Sequence, residues 1–194
     1  MKDRKGKKHK RSRNTREEKI VRYYIVCEGK ETEVNYFKGI KSKFGQKGLL
    51  TRDPNLIEIY NIEVKGIGKG ADKVLEETTK LLNRKGNIYD NVWLIFDKDD
   101  LLDTAFNSII KKSKQRGYKV GWSNKCFELW LYLYFEANQS DLSCNDYIDK
   151  LDKKFKKYIN KKGYNKNNKN IFAILEKYSS WKKAYHNAMQ LEKS

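Results

Sequence analysis

Three apolar runs in this chain stop at acidic or polar residues. Residues 22–27 end at Glu28-Gly29, with Glu33 a turn further on. The run Val92-Trp93-Leu94-Ile95-Phe96 ends at Asp97-Lys98-Asp99-Asp100, and residues 118–122 end at Ser123-Asn124, with Glu128 close behind. Carboxylates brought together repel unless a cation lies between them. Hard oxygen ligands of this kind suit Mg²⁺ or Mn²⁺ rather than zinc. The Asp97-x-Asp99 spacing adds a geometric reason. Where a chain leaves a strand still extended, residues two apart point to the same side, so both carboxylates reach one metal cluster. Two divalent ions about 4 Å apart generate hydroxide and stabilise the attacking and leaving oxygens of a phosphodiester.

Each element also has an ordinary interpretation. Glu28-Gly29 is compatible with a polar turn, residues 97–100 with an acidic helix start that complements the macrodipole, and Ser123-Asn124 with an N-cap. Their coincidence on successive strand ends favours a metal site. Gly66-Ile67-Gly68-Lys69-Gly70 superficially resembles a phosphate-binding loop, but Lys69 is followed by Gly70 and no hydroxyl follows for Mg²⁺, so it is expected to be a mobile turn. His9 lies in a basic segment and His186 in a C-terminal helical stretch, neither beside a cluster of acids or thiols, which argues against a histidine triad or a zinc site. Trp130, Tyr132, Tyr134 and Phe135 are expected to be core.

The elements that must position these residues follow from periodicity. Residues 22–27 read as a strand. Thr32 offers an N-cap for a helix whose apolar positions are Val34, Phe37, Ile40 and Phe44. Residues 56–64 read as a second strand, and Asp72 can cap a helix carrying Val74, Leu75, Leu81 and Leu82. Residues 92–96 form a continuous apolar strand of the kind buried on both faces of a parallel sheet. A helix over 101–115, a strand over 118–122 and an apolar helix over 127–136 follow. This alternation with short connections predicts a mostly parallel sheet covered by helices. Residues 147–159 and 171–191 read as helical, separated by an Asn/Lys-rich loop at 161–170.

The net charge of +18 on 194 residues is unevenly spread. Residues 1–19 hold ten Lys/Arg and three acids, residues 150–170 hold nine and one, and residues 20–149 hold twenty and nineteen. A nearly neutral centre with basic flanks matches a polyanion footprint around a separate chemical site. Lysine supplies thirty-five of the 43 cationic residues, a bias that a solvated lysine-rich surface would also produce. No segment approaches the roughly 18 apolar residues of a membrane span, and the first twenty residues carry no apolar signal region. Cys27, Cys126 and Cys144 share no C-x-x-C spacing, which argues against a disulfide framework or zinc ribbon and favours a reducing cytoplasm.

Three segments resemble one family. The run Val26-Cys27-Glu28-Gly29-Lys30-Glu31-Thr32-Glu33-Val34-Asn35-Tyr36-Phe37 resembles the E-G-x-x-T-E-x-x-Y-F opening of RloB-like proteins. Asp97-Lys98-Asp99 resembles their acidic strand-end motif, and Ser123-Asn124-Lys125-Cys126-Phe127-Glu128-Leu129-Trp130 their S-N-x-x-F-E-L-W signature. The resemblance covers about residues 20–192. That family is similar to Toprim domains, whose glutamate after the first strand and D-x-D after a later strand bind divalent metal during phosphoryl transfer, and to the Toprim nucleases of OLD-type systems.

The resemblance implies that Glu28 is a metal ligand or general acid/base and that Asp97 and Asp99 bind metal. Glu33 is a further ligand, although it lies five residues after Glu28 where the OLD-type pattern has four. Ser123, Asn124 and Glu128 complete the site. Family members commonly stand beside an AAA- or ABC-type ATPase in restriction or abortive-infection loci, which implies a role in phage defence with such a partner.

The sequence therefore predicts a basic disordered tail at 1–18, a Toprim-like α/β core at 19–140 and a helical extension at 141–194 packed on it. The function expected is a Mg²⁺- or Mn²⁺-dependent, cytoplasmic nuclease of DNA or RNA, with Lys162 and Lys166 among the cations holding the strand. The competing expectation is a non-catalytic partner that binds nucleic acid or docks an ATPase through its C-terminal helices.

Overall fold

The longest strand, β1 (Glu17–Cys27), runs between β3 (Leu56–Gly66) and β4 (Asn91–Asp97), parallel to both. Strand β5 (Lys119–Ser123) continues the parallel sheet beyond β4, and the short β2 (Gly48–Leu50) pairs antiparallel with β3 at the opposite edge. The order is thus β2-β3-β1-β4-β5. Helix α1 (Thr32–Phe44) follows β1, α2 (Ala71–Lys85) joins β3 to β4, and α3 (Asp103–Gln115) joins β4 to β5. Helices α4 (Phe127–Tyr132), α5 (Cys144–Tyr158), α6 (Ile171–Tyr178) and α7 (Trp181–Leu191) complete the chain. This computed structural model describes residues 17–45, 48–50, 56–86, 88–99, 101–137 and 142–191. The architecture is the mostly parallel, helix-flanked α/β sheet with C-terminal helices that the sequence predicts, and it is consistent with a Toprim-like fold.

Side chains alternate across each strand, so the sheet divides the core in two. Tyr24 and Val26 of β1 and Val92, Leu94 and Phe96 of β4 pack against Val74, Leu75 and Leu82 of α2 and Phe106 and Ile109 of α3. Ile25, Cys27 and Ile95 face the other way, into a larger cluster with Val34 and Tyr36 of α1, Leu131 and Tyr134, and Leu151, Phe155, Phe172 and Leu175 of the C-terminal helices. Tyr132 and Tyr134 are fully buried, as predicted, and the Tyr134 hydroxyl meets that of Tyr36 at 2.7 Å.

Several boundaries differ from the sequence-based expectation for local physical reasons. Strand β1 starts at Glu17 because backbone pairing with β3 runs from Glu17–Leu56 onward, although residues 17–20 are exposed. The expected disordered tail falls almost wholly on residues 1–16, outside the described residues, as does Asp100. Strand β2, at three residues, is too short to show a pattern. Thr32 is the first residue of α1 rather than its cap, and Asp72 lies inside the first turn of α2, whose N-cap is Gly70. Ser123-Asn124 does not cap α4: Ser123 remains paired with Asp97 in the sheet, and the N-cap is Cys126. Helix α5 begins early because Ser143 and Asp146 form a capping box. The helical stretch expected over 171–191 is broken at extended Ser179. The turn at 66–70, expected to be mobile, is tied down by Ile67 N–H donating to the Cys27 carbonyl (2.9 Å) and Gly68 N–H to the Glu28 carbonyl (2.6 Å).

The larger core draws on strands and C-terminal helices alike, so removing fully buried Leu175 should weaken both. Leu175→Ala is expected to lower the unfolding free energy by about 2–5 kcal/mol and to leave a single thermal transition by circular dichroism. Two separated transitions would show instead that the helices fold apart from the sheet.

Candidate active site

Parallel α/β sheets bind ligands beyond the carboxyl ends of their strands, where the strand order reverses. Here the chain leaves β1 for β3 on one side and then crosses to β4 on the other, so the reversal lies between β1 and β4. Glu28 follows β1 and Asp97 ends β4, which places one carboxylate on each side of that point. Asp97 backbone N–H donates to Glu28 Oε2 at 3.2 Å, and Glu28 backbone N–H donates to the Ile95 carbonyl at 2.8 Å.

A cleft of about 240 Å³ opens beside these residues, lined by Glu33, Asp97, Asp99, Glu128, Lys125 and Lys166, with Thr32, Cys126, Phe127 and Cys144 in its walls. Glu33 reaches it from the first turn of α1, where Gly29 N–H donates to its Oε1 at 3.2 Å. A Cβ at position 29 would lie 2.4 Å from Glu33 Oε2, so any larger residue there would push the Glu33 carboxylate aside. Gly66 packs as closely, its missing Cβ falling 2.6 Å from the Gly29 carbonyl oxygen. The Asp97 carboxylate accepts a hydrogen bond from Phe127 N–H and thereby supplies the cap that Ser123-Asn124 does not.

Glu128 enters from α4 and is 4% exposed. Its Oε1 accepts from the Tyr164 hydroxyl at 3.1 Å and pairs with Lys166 Nζ at 3.2 Å. Burial and the Glu128 charge push the Tyr164 hydroxyl well above the usual phenol range. Thr32 Oγ1 donates to the Lys166 carbonyl at 3.3 Å, so the loop between α5 and α6 is fastened to α1 as well.

The carboxylates feel one another. Burial, with the charges of Glu33 and Glu28, pushes Asp97 up to about 7 against the downward pull of Phe127 N–H. Burial raises Glu28 too; Asp97 N–H opposes it, while Glu33, Asp99 and Asp72 add to the rise. Glu33 is raised by burial and by Glu128, against its own N–H, that of Gly29 and the Lys166 ammonium.

Of the residues singled out from the sequence, Glu33, Asp97, Asp99, Glu128 and Lys166 share this cleft, and Glu28 adjoins it through Asp97. Ser123 and Asn124 lie outside its lining; Ser123 instead fixes the strand end, its carbonyl accepting from Lys98 N–H at 2.8 Å. Lys162 lines a neighbouring cavity that shares Lys166. The geometric reason given for Asp97-x-Asp99 does not hold. Strand β4 ends at Asp97, and Asp99 takes a left-handed backbone (φ 37°), so the two carboxylates reach the cleft around a turn rather than along an extended chain. Cys126, Cys144, Lys125, Thr32 and Tyr164 were missed. Cys126 and Cys144, whose thiols hydrogen-bond to each other, lie far apart in sequence, and Tyr164 sits in a loop whose composition suggests only solvent.

Among the described residues no three His, Cys, Asp or Glu side chains gather closely enough to complete a metal shell. Magnesium does not require one, because it keeps several waters and is commonly held by one or two carboxylates together with substrate phosphate. The mutually repelling carboxylates of half-buried Glu28 and Asp97 and buried Glu33 are hard oxygen donors of the right chemistry for such an ion.

Fold and site together define an α/β protein with an acid-lined cleft at the switch point of a mostly parallel sheet. The chain belongs to the RloB-like protein family, whose model matches residues 23–194. No curated protein and no solved structure matches the chain. No helix among the described residues is long and apolar enough to cross a membrane.

The raised Asp97 carboxyl has a signed consequence. Its folded value lies above its unfolded one, so the stability it confers is present at low pH and is lost as pH rises from about 4 through about 7. Asp97→Asn keeps an acceptor for Phe127 N–H and removes the charge. In chelator, its melting temperature should match wild type near pH 4 and exceed it above pH 7, by roughly 2–4 °C for each kcal/mol recovered. An equal difference at both pH values would refute the electrostatic account.

Proposed function

We propose that this protein is a Mg²⁺- or Mn²⁺-dependent nuclease that hydrolyses phosphodiesters of DNA or RNA in bacterial antiphage defence, acting in the cytoplasm with an AAA- or ABC-type ATPase encoded nearby. The observation that carries this reading is the pairing of Glu28 and Asp97 at the switch point of the sheet, with Glu33, Asp99 and Glu128 turned to the same place. The RloB-like family supports the defence setting through the resemblance of its motifs. In this reading Glu28, Asp97 and Asp99 hold the metal, with Glu33 and Glu128 supporting. The metal would supply charge neutralisation at the phosphoryl oxygens and an activated water.

The chain's own groups do the rest. Glu28, raised by burial, is suited to take a proton from the attacking water, and Asp97 N–H keeps that carboxylate at the strand end. Lys166 and Lys125 stand at the cleft as cations for a phosphate. Lys162 continues the basic surface along residues 150–170, where contacts to phosphates position a strand without reading its sequence.

A second reading has its own observation. Trp181, Tyr185 and Met189 lie a helical turn apart along α7 and are 41%, 56% and 36% exposed, a stripe fitted to a non-catalytic partner that docks an ATPase.

Purified protein is expected to cleave at least one of plasmid, single-stranded DNA and tRNA when Mg²⁺ or Mn²⁺ is added. Glu28→Gln and Asp97→Asn should each lower the rate by roughly 100-fold or more. Absence of cleavage by wild type, alone and with its ATPase, would overturn the nuclease reading in favour of the second. Equal cleavage by Glu28→Gln would show that the site is misassigned.

A further inference from the structure

Beside the acidic cleft, and sharing Lys166 with it, lies a larger cavity of about 510 Å³ formed by the loop between α5 and α6. Its lining includes Asn160, Lys162, Asn165, Lys166 and Asn168 and contains no acid. We propose that this cavity is a phosphate subsite, which takes a non-scissile phosphate of a nucleic-acid strand whose neighbouring linkage lies in the acidic cleft. The identity of the ligand as a strand rests on the nuclease reading above; the preference for an oxyanion rests on the loop itself.

The loop spends its acceptors internally. Asn160 Oδ1 accepts from Lys162 N–H at 2.8 Å, Asn165 Oδ1 from Asn167 N–H at 2.9 Å, and Asn168 Oδ1 from Asn170 N–H at 2.9 Å. Each is an asparagine turn closed on its own backbone. A backbone N–H can only donate, so these bonds decide which end of each carboxamide is oxygen, and the Nδ2 end is the one left for a ligand. Four main-chain carbonyls of the lining residues are engaged as well. Those of Asn160, Asn165 and Asn168 accept from Gly163, Asn168 and Ile171 N–H groups, and that of Lys166 from Thr32 Oγ1.

The cavity is thus lined by side chains whose uncommitted polar groups are donors: three carboxamide NH₂ groups and the ammonium group of Lys162. Lys162 has no ion-pair partner among the described residues, whereas Lys166, which lines both cavities, has its Nζ held to Glu128 at 3.2 Å. A lining rich in donors and free of carboxylates matches a phosphate, whose exposed oxygens only accept. The volume falls in the range of small-ligand sites and leaves room for the sugar beside the phosphate.

The loop is held at its base, so its donors are positioned. Asp152 of α5 pairs with Lys156 at 2.6 Å, and its Oδ1 accepts from Tyr164 N–H at 3.1 Å. Gly163 adopts φ +81°, where a Cβ would fall 1.8 Å from that same oxygen. The Tyr164 hydroxyl then reaches Glu128, so one residue ties the donor cavity to the acidic cleft.

Asn→Asp substitution tests this directly, because aspartate keeps the oxygen that closes each turn and replaces the outward donor with an acceptor. The double variant Asn165→Asp/Asn168→Asp is compared with Asn107→Asp/Asn145→Asp, which adds the same charge at exposed helical positions outside the cavity. Binding of a single-stranded oligonucleotide is measured in EDTA, which removes cleavage from the readout, with side-chain amide spectra of ¹⁵N-asparagine-labelled wild type recorded alongside.

The oligonucleotide should bind wild type on the order of micromolar and move the loop amides. The loop variant should bind roughly tenfold or more weakly than the control variant, at an unchanged melting temperature. Inorganic phosphate should move the same amides only at far higher concentration. Equal affinity of the two variants, or loop amides that do not respond, would overturn the subsite even if the protein proves to be a nuclease. Loop amides that respond in a protein that cuts nothing would support the subsite while the nuclease reading fails. Inorganic phosphate binding as tightly as the oligonucleotide would overturn the assignment to a strand.

Discussion

Mutual repulsion among buried and half-buried carboxylates is the constraint around which the carboxyl edge of this sheet is arranged. Left in water these groups would separate. Here Glu28 is held by a backbone N–H from the neighbouring strand, Glu33 by the N–H of Gly29, Asp97 by the N–H that opens α4, and Glu128 by a phenol and an ammonium. The N–H groups of Asp97 and Phe127 are fixed by secondary structure and that of Gly29 by the bend after β1, while Glu128 is anchored by side chains of the loop between α5 and α6, so the crowding is imposed by the fold. Gly29 and Gly66 belong to the same arrangement, because a methyl group at position 29 would push against the Glu33 carboxylate and one at position 66 against the Gly29 carbonyl.

The two halves of the chain contribute opposite chemistry to one edge. Strands and their first helical turns bring carboxylates; the loop between α5 and α6 brings donors and cations. Thr32 and Tyr164 join them, the first by a bond from α1 to the loop backbone and the second by a bond from the loop to Glu128. The larger core, which mixes residues of β1, α1, α4, α5, α6 and α7, fixes the distance between acids and cations. Packing far from the cleft therefore decides how the negative and positive walls face each other.

Much of this was legible in the sequence. Residues 92–96 announce a buried parallel strand by their unbroken apolarity, and the acids after them mark its carboxyl end. The strand β1 is legible only in its apolar half, because residues 17–19 are charged and held by pairing with a strand nearly forty positions away. The caps were misjudged for a related reason. Thr32, Asp72 and Ser123-Asn124 have the right chemistry for capping, yet the Asp97 carboxylate reaches α4 through the folded sheet, which no local pattern reports. The loop at 161–170 reads as polar linker because its asparagines look solvated until their oxygens are seen closed on their own backbone.

The bond between Thr32 and the Lys166 carbonyl joins residues 134 positions apart. Closing so long a loop is entropically unfavourable until the helices that flank it have packed, which makes the cationic wall a late event in folding. During synthesis the acids of β1 and β4 leave the ribosome well before the residues that face them. A chain interrupted at the end of α5 would carry the carboxylates without Lys166 and Tyr164, so the cleft has both walls only once the loop that follows α5 has been made.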